Sequence, residues 1–169
     1  IKKILLINRT SIKINHIKIK ELICDNFLNL ANYQKDFTGY DACFHCMGIS
    51  VVGSSDEYYK KTTYDITKVI VDLVFKENKN TVFNYVTGEG TDSSEKGPIR
   101  WARIKGKMEN YILQKGFKDS YMFRAGIIIP EKGIKSRTKI YNLFYVLMRP
   151  VYPILKLLPF ITTTSKLGN

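Results

Sequence analysis

Three side chains that could do chemistry follow one another between Thr87 and Lys105. Thr87 supplies a hydroxyl just after the strand-like run 82–86. Trp101 and Lys105 stand four residues apart in a helical pattern, which places them on one helix face. If the strand and the helix pack as a β-loop-α unit, that face looks toward Thr87. An indole N–H can only donate a hydrogen bond, so any acid or base here would have to be another group.

Alternating strand and helix patterns surround this stretch. Apolar runs predict strands over 3–8, 21–24, 42–46, 82–86 and 120–124, and helical periodicity predicts helices over 56–77 and 100–114. Strands that alternate with helices favour a parallel α/β sheet, and ligands bind such sheets at the carboxyl ends of the strands.

Residues that could bind a ligand follow several of these strands. Asn8 and Arg9 end the first run, where a dinucleotide-binding fold meets the adenosine ribose at its second strand. An arginine there accommodates a 2′-phosphate, so Arg9 favours NADP over NAD, and a plain surface arginine is the alternative. Gly48 follows the strand 42–46, where a glycine allows a ligand to approach the backbone closely.

Composition describes an ordinary globular protein and argues against several classes. The 169 residues suffice for one domain, with 44% hydrophobic and 25% charged residues. A net charge of +12 suits nucleic acid, an anionic membrane or a phosphorylated ligand, but the lysines are scattered and form no dense run. We therefore expect solvated lysines and no nucleic-acid partner.

The cysteines and the C-terminal segment carry weaker signals. Cys43 and Cys46 form a CxxC that no second pair completes, so we expect buried, reduced thiols in a strand, no metal site and a cytoplasmic protein. Residues 140–160 are apolar, but Arg149, Lys156 and prolines argue against a membrane span. We expect an amphipathic element packed on this domain or on a partner, with contact to a membrane surface as the alternative.

Several short motifs, in this order and spacing, resemble one family. They are Asn8-Arg9, Gly39-Tyr40-Asp41-Ala42-Cys43-Phe44, Gly48-Ile49-Ser50, Thr63-Tyr64-Asp65, Tyr85-Val86-Thr87-Gly88-Glu89-Gly90-Thr91-Asp92, Trp101-Ala102-Arg103-Ile104-Lys105-Gly106-Lys107, Phe123-Arg124-Ala125-Gly126 and Thr162-Thr163-Thr164. The set is similar to atypical, epimerase-type short-chain dehydrogenase/reductase proteins, near the oxidoreductase-like Tat-interacting protein.

The resemblance implies a Rossmann-like, doubly wound parallel α/β sheet with a glycine-rich loop after its first strand. This sequence has no GxxGxxG, and its first apolar run matches the second strand of the family. We therefore expect a single domain over 1–169 that lacks the first strand and the glycine-rich loop, with an apolar helical segment over 138–169. The chain is expected to belong to a longer protein.

The family also implies a hydroxyl, a tyrosine and a lysine as catalytic groups, with NAD(P) as cofactor. Thr87 takes the hydroxyl position, Lys105 the lysine position and Trp101 the tyrosine position, with Tyr64 as a possible substitute proton donor. An oxidoreductase or epimerase acting on a small carbonyl or sugar-like substrate is expected. Because Trp101 cannot transfer a proton, a cofactor-binding regulator or scaffold is the alternative.

The cofactor contacts that the resemblance implies run from the adenosine end to the nicotinamide end of the dinucleotide. The cofactor contacts are Asn8 and Arg9 at the adenosine phosphate, Asp25 and Asn26 near the adenine, Met47 and Gly48 along the dinucleotide, and Thr87, Lys105, Ala125, Gly126 and Ile127 around the nicotinamide.

The family also implies a homodimer through the helices that begin near Asp56 and Arg100.

Overall fold

A computed structural model describes residues 1–131, 139–155 and 161–167. The chain forms two compact units, Ile1–Phe123 (unit 1) and Arg124–Asn169 (unit 2). The strands are β1 (Ile4–Asn8), β2 (Ile19–Ile23), β3 (Ala42–His45), β4 (Val82–Gly88), β5 (Asp119–Ala125), β6 (Ile127–Ile129) and β7 (Ile161–Thr163). The α-helices are α1 (Asp56–Lys60), α2 (Ile66–Glu77), α3 (Arg100–Gln114), α4 (Lys139–Met148), α5 (Tyr152–Leu155) and α6 (Thr164–Leu167).

Unit 1 contains two separate hydrogen-bonded ladders of strands. β1 and β2 are parallel and pair from Ile4–Ile19 to Asn8–Ile23. The second ladder has the order β3-β4-β5, and β3 runs parallel to β4 from Ala42–Val82 to His45–Tyr85. Both parallel pairs need crossover connections, which is why helical segments separate most of these strands in the sequence.

Helix α2 packs against both ladders and joins them into one core. Ile70 and Leu73 belong to a buried cluster with Leu22 of β2, against which Leu5 and Ile7 of β1 pack. Val71, on another side of α2, belongs to a second cluster that contains Phe83 and Tyr85 of β4. Removing these apolar side chains from water stabilises the fold by roughly 25 cal/mol for each Å² buried.

The ends of α2 show how the strands are oriented. Asn78, just past the helix, donates to the carbonyl of Tyr40, which precedes β3. Thr67, near the start of the helix, shares a hydrogen bond of 3.0 Å with His45 at the end of β3. The Lys3 ammonium, before β1, donates to the Thr38 carbonyl at 3.1 Å. β1 and β3 therefore start at one edge of unit 1, and their carboxyl ends lie at the other.

The loop after β4 is folded tightly onto α3. The Asp92 carboxylate accepts hydrogen bonds from the backbone of Ser94 at 2.9 Å and of Gly97 at 2.7 Å. The Asp92 N–H donates to the Ala102 carbonyl of α3 at 3.1 Å. A Cβ added to Gly106 would lie only 1.7 Å from the Asp92 carbonyl oxygen. Only glycine fits at this contact, and the loop that follows the candidate hydroxyl is thereby held against the helix.

The predicted burial of the strand 42–46 is wrong. Phe44 is 73% exposed and Cys46 is also exposed, whereas His45 is 4% exposed. Alternate residues of a strand point to opposite faces of the sheet. Cys43 and His45 face the apolar cluster under α2 and α3, and Phe44 points to the opposite face and is exposed there.

Most predicted elements of unit 1 are present, and the Rossmann-like α/β fold class is confirmed. The helix predicted over 100–114 is α3. The helix predicted over 56–77 is interrupted, because a π-helical turn at Lys61–Asp65 separates α1 from α2. Residues Phe27–Phe37 form a 3₁₀-helical segment, which Asn26 caps by accepting from the Leu28 N–H.

Unit 2 contains a third parallel pair of strands. β6 pairs with β7 from Ile127–Ile161 to Ile129–Thr163, and the Glu131 N–H donates to the Thr164 hydroxyl at 3.0 Å. The apolar helical segment predicted over 138–169 contains α4, a 3₁₀ turn at Arg149–Val151, α5, β7 and α6, while its residues 138, 156–160 and 168–169 fall outside the described ranges. Of the helices described, none has both the length and the apolar character needed to cross a membrane.

Candidate functional site

Thr87 lies at the end of β4 and makes a short hydrogen bond inside the protein. Its hydroxyl donates to the Oε1 atom of Glu109 at 2.6 Å. Thr87 is 4% exposed and Glu109 only 2% exposed. Hydrogen bonds to a carboxylate are shorter and stronger than those between neutral groups, so this bond firmly connects the end of β4 to α3.

Glu109 lies on the same face of α3 as the two predicted residues. Trp101, Lys105 and Glu109 are spaced by four residues and form the 101–105–109 face of the helix. The Thr87 hydroxyl bonds to Glu109 on this face, so this face of α3 lies next to the end of β4. Burial lowers the pKa of Lys105, while the negative charge of Glu109 raises it. The site therefore combines a hydroxyl, a buried carboxylate and a partly buried ammonium.

Trp101 packs against the loop that follows β4. A Cβ added to Gly90 would lie 3.5 Å from the indole ring, and Gly90 has a φ of +82°. Other residues rarely adopt this backbone conformation, so glycine gives both the turn and the room for the ring. The indole supplies a flat apolar surface here, at the position where the family resemblance expects a tyrosine.

Two phenols, Tyr85 of β4 and Tyr59 of α1, are buried at 2% and 4% exposed. Burial raises the pKa of Tyr85, and the charges of Tyr59 and Glu109 raise it further. Burial also raises the pKa of Tyr59, which a hydrogen bond with Thr63 partly offsets. The four-residue spacing from Lys105 could have identified Glu109, but no local pattern connects Tyr59 with this site.

Tyr64 packs against the buried cluster that contains Tyr85 and also contacts Lys107 of α3. The Lys107 ammonium lies 5.0 Å from the centre of the Tyr64 ring. Lys107 and Lys105 are two positions apart and point about 200° away from each other around the helix. The role of Tyr64 as a substitute proton donor stays a prediction.

Four predicted adenosine-side residues lie together at the carboxyl ends of β1 and β2. The Asn8 side-chain amide donates to Glu21 at 2.9 Å, and the Cys24 N–H donates to the Asn8 carbonyl at 2.9 Å. Asn26 follows directly and uses its side chain to cap the 3₁₀ segment. Arg9 and Asp25 are exposed. Arg9, Asp25 and Asn26 are thus accessible to a ligand, although the Asp25 carboxylate accepts from the Asn26 N–H and the side chains of Asn8 and Asn26 also have partners in the protein.

The remaining predicted residues differ in their surroundings. Met47 and Gly48 follow β3 at the carboxyl edge, and a Cβ added to Gly48 would meet no atom within 4 Å. Gly48 therefore borders open space, as a backbone approached by a ligand must. Ala125, Gly126 and Ile127 belong to unit 2, where Gly126 separates β5 from β6.

The opposite edge of unit 1 carries a shallow pocket of about 300 Å³. None of the predicted site residues lines it. Because parallel α/β sheets bind ligands at the carboxyl ends of their strands, we assign the candidate site to the Thr87 edge and not to this pocket. Among its lining residues are Lys3, Lys18, Lys20, Lys35, Asp36 and Tyr40.

The cysteines do not form a built metal site. Cys24 is buried, Cys43 is partly buried and Cys46 is exposed, and all three are free. Burial raises the pKa of the Cys43 thiol to about 12. Within the part of the chain that the structure describes, no three or more His, Cys, Asp or Glu residues are grouped so that they could hold a metal ion.

The fold, although not the sequence, is similar to that of a known protein. No family model and no curated protein matches the sequence. A solved structure of a short chain dehydrogenase family protein from Francisella tularensis subsp. tularensis SCHU S4 matches with a TM-score of 0.59 and 11% identity. The match covers 88% of this chain and 66% of that chain, so this chain spans slightly less than two thirds of its neighbour's length. At this identity the likeness shows a Rossmann-like fold.

Proposed function

We propose that this protein binds a nicotinamide dinucleotide along the carboxyl edge of unit 1, as an epimerase-type member of the short-chain dehydrogenase/reductase superfamily. The observation that carries the proposal is the grouping of Thr87, Lys105 and Glu109 at the end of β4. The Rossmann-like fold supports it, because dinucleotides bind these folds at the carboxyl ends of the strands.

The proposed orientation follows from the charges at the two ends of this edge. Arg9 is exposed where the adenosine ribose would lie, and it favours the 2′-phosphate of NADP. The nearby Glu21 carboxylate accepts hydrogen bonds from Asn8, Ser11 and the Ile12 N–H. These donors satisfy Glu21 within the protein, and Arg9 is exposed directly after β1. The nicotinamide end would then lie beside Lys105.

The proposed activity is oxidation or reduction, or epimerisation through oxidation, of a small carbonyl or sugar-like substrate. When bound, the nicotinamide would accept or supply the hydride. Lys105 would hold the ribose through its ammonium, and the loop packed against Trp101 would border the substrate. The side chain that exchanges a proton with the substrate is not Trp101, because indole lacks that chemistry at physiological pH.

A second function is favoured by a specific contact. Thr87 donates its hydroxyl to Glu109 and is 4% exposed, so it is poorly placed to donate to a substrate. Together with Trp101 at the tyrosine position, this supports a protein that binds the cofactor and acts as a regulator or scaffold without turnover. Both functions require dinucleotide binding, and they differ only in hydride transfer.

Calorimetric titration of NADPH and NADH into the purified protein tests the shared requirement. We expect NADPH to bind more tightly than NADH and Lys105→Met to weaken binding. Lys107→Met is the matched control, because Lys107 is exposed on another side of α3. If neither nucleotide binds, both functions are excluded.

Hydride transfer then separates the two functions. NADPH oxidation is followed over a panel of small carbonyl compounds, for the native protein and for Trp101→Tyr. Turnover by the native protein supports the enzyme. Binding without turnover, even in Trp101→Tyr, supports the regulator.

Localisation and partners are proposals as well. We infer a cytoplasmic protein, with contact to a membrane surface through 140–160 and a homodimer through the helices of the Asp56 and Arg100 segments as testable associations. Flotation with anionic liposomes tests the first association, and sedimentation equilibrium tests the second. A protein that stays in solution as a monomer would exclude both.

A further inference from the structure

We propose that Glu109 is the positioning residue of this site: its carboxylate holds the Thr87 hydroxyl in place and keeps the Lys105 ammonium charged. This inference rests on the proposed function in one respect, namely that Lys105 holds the cofactor. The contacts themselves belong to unit 1 and do not depend on a bound cofactor.

The burial of Glu109 is the first step. Its residue is 2% exposed, and a carboxylate removed from water is strongly unfavourable unless hydrogen bonds and opposite charge compensate it. The Thr87 hydroxyl supplies a hydrogen bond at 2.6 Å. Lys105 supplies a positive charge one helical turn away on the same face. An apolar residue would fill this position at a lower cost in desolvation, so a charge here indicates a role for the charge.

The effect on Lys105 is the second step. Burial disfavours the ammonium and lowers the pKa of Lys105, whereas the negative charge of Glu109 opposes that shift. An ammonium offers three hydrogen-bond donors and a positive charge, and a neutral amine offers less of both. Glu109 therefore preserves the form of Lys105 that could hold ribose hydroxyls.

The groups around Lys105 and Glu109 come from three elements. Thr87 and Tyr85 approach from β4 and Tyr59 from α1, and Trp101 lies one turn before Lys105. Burial raises the pKa of both tyrosines and lowers the pKa of Lys105, so the tyrosines stay neutral in the pH range where Lys105 titrates. A change in Lys105 on removal of the Glu109 charge therefore reports this pair.

The first experiment measures Lys105 directly. Lysines are reductively methylated with ¹³C-formaldehyde, and the Lys105 signal is identified by its loss in Lys105→Arg. In Glu109→Gln we expect the titration midpoint of Lys105 to move to lower pH, and in Glu109→Asp to return toward the native value. Glu95→Gln is the control, because Glu95 is exposed and contacts Asn110 elsewhere on α3. An unchanged midpoint in a folded Glu109→Gln protein overturns the proposal.

A second measurement needs no substitution at Glu109. With ¹³C-labelled glutamate, the Glu109 carboxyl signal is followed through the titration of Lys105 in the native protein. We expect an inflection at the Lys105 midpoint, since each group senses the charge of the other. A Glu109 signal without that inflection overturns the proposal even if Glu109→Gln fails to fold.

The link to the cofactor is tested separately, by calorimetry with NADPH at several pH values. As the pH rises and Lys105 loses its proton, the affinity for NADPH should fall. We expect this fall to begin at a lower pH in Glu109→Gln than in the native protein. If NADPH binds neither protein, the proposed function fails while the Lys105 titration still decides the role of Glu109. If NADPH binds both with the same pH dependence although the Lys105 midpoint has moved, Glu109 does not position Lys105 for the cofactor.

Discussion

At the end of β4, Thr87 is 4% exposed and bonded to a carboxylate that is 2% exposed, whereas at the end of β1 the predicted residue Arg9 lies exposed. The β4 end is covered by α3 and by the loop that Asp92 organises. The β1 end is bordered by a short polar connection to β2. The same edge of one unit thus has a buried half and an open half.

This difference separates two kinds of functional residue. At the buried half a substitution must change both the chemistry and the free energy of unfolding, because each polar atom there has a partner inside the protein. At the open half a substitution can change ligand binding and leave stability almost unaltered. The following substitutions test that contrast, from the largest expected effect to the smallest.

Gly106→Ala should have the largest effect. Its Cβ would lie 1.7 Å from the Asp92 carbonyl oxygen, so the loop and α3 must separate. We expect a loss of about 3 kcal/mol or more in the free energy of unfolding, measured by urea denaturation. Gly48→Ala at the open edge is the control, since no atom lies within 4 Å of its added Cβ. Equal stabilities for the two variants would contradict the packing described.

Acid should weaken the buried half through His45. Burial lowers the pKa of His45 from 6.5 to about 4, so the folded state disfavours the protonated ring. This contribution to stability is complete above pH 6.5 and is lost as the pH falls toward 4. Between pH 7 and pH 5 we expect a loss of about 2 kcal/mol by urea denaturation. His45→Gln should remove most of that pH dependence, and a native-like dependence in that variant would show that other groups cause it.

Thr87→Val removes one hydrogen bond to the buried Glu109 carboxylate at similar side-chain volume. We expect a destabilisation of about 1–3 kcal/mol, because a buried charged acceptor loses a donor. Thr87→Ser keeps the donor and is expected to cost less, despite the lost methyl group. Thermal unfolding followed by circular dichroism measures both variants. A larger loss of stability in Thr87→Ser than in Thr87→Val would mean that packing, and not the hydrogen bond, determines the effect.

Asn26→Ala tests a residue of the open half that has a structural role. Its side chain caps the 3₁₀ segment by accepting from the Leu28 N–H at 3.1 Å. Loss of such a cap typically costs about 1 kcal/mol. Asn29→Ala in the same segment, with an exposed side chain, should cost less. Equal midpoints of chemical denaturation for these variants would show that the cap is not stabilising.

Arg9→Ala should have the smallest effect on stability, within about 0.5 kcal/mol, because the side chain is exposed. If the proposed orientation is correct, the same variant loses the preference for NADPH over NADH in calorimetry. An unaltered preference would remove Arg9 from the account of cofactor specificity.

Local patterns predicted much of unit 1. Ile66, Ile70, Leu73 and Val74 form a helical stripe, and the structure has α2 over Ile66–Glu77. The predicted helix over 100–114 is α3. The predicted strand at 42–46 exists as β3, but its burial was wrong, because burial depends on whether another element covers each face. The pair β6 and β7 was not predicted, since pairing 34 positions apart leaves no local signal (Ile127 with Ile161).

The order of residues by itself determined most strands of unit 1, the helices α2 and α3, and the four-residue spacing that puts Trp101 and Lys105 on one face of α3. These are consequences of backbone geometry and of periodicity within a few residues. Only the tertiary structure decided that Thr87 bonds to Glu109, that Gly106 admits the loop carrying Asp92, and that Phe44 remains exposed. Each of these depends on contact between elements distant in sequence, and burial, which sets their energies, exists only once those elements have packed.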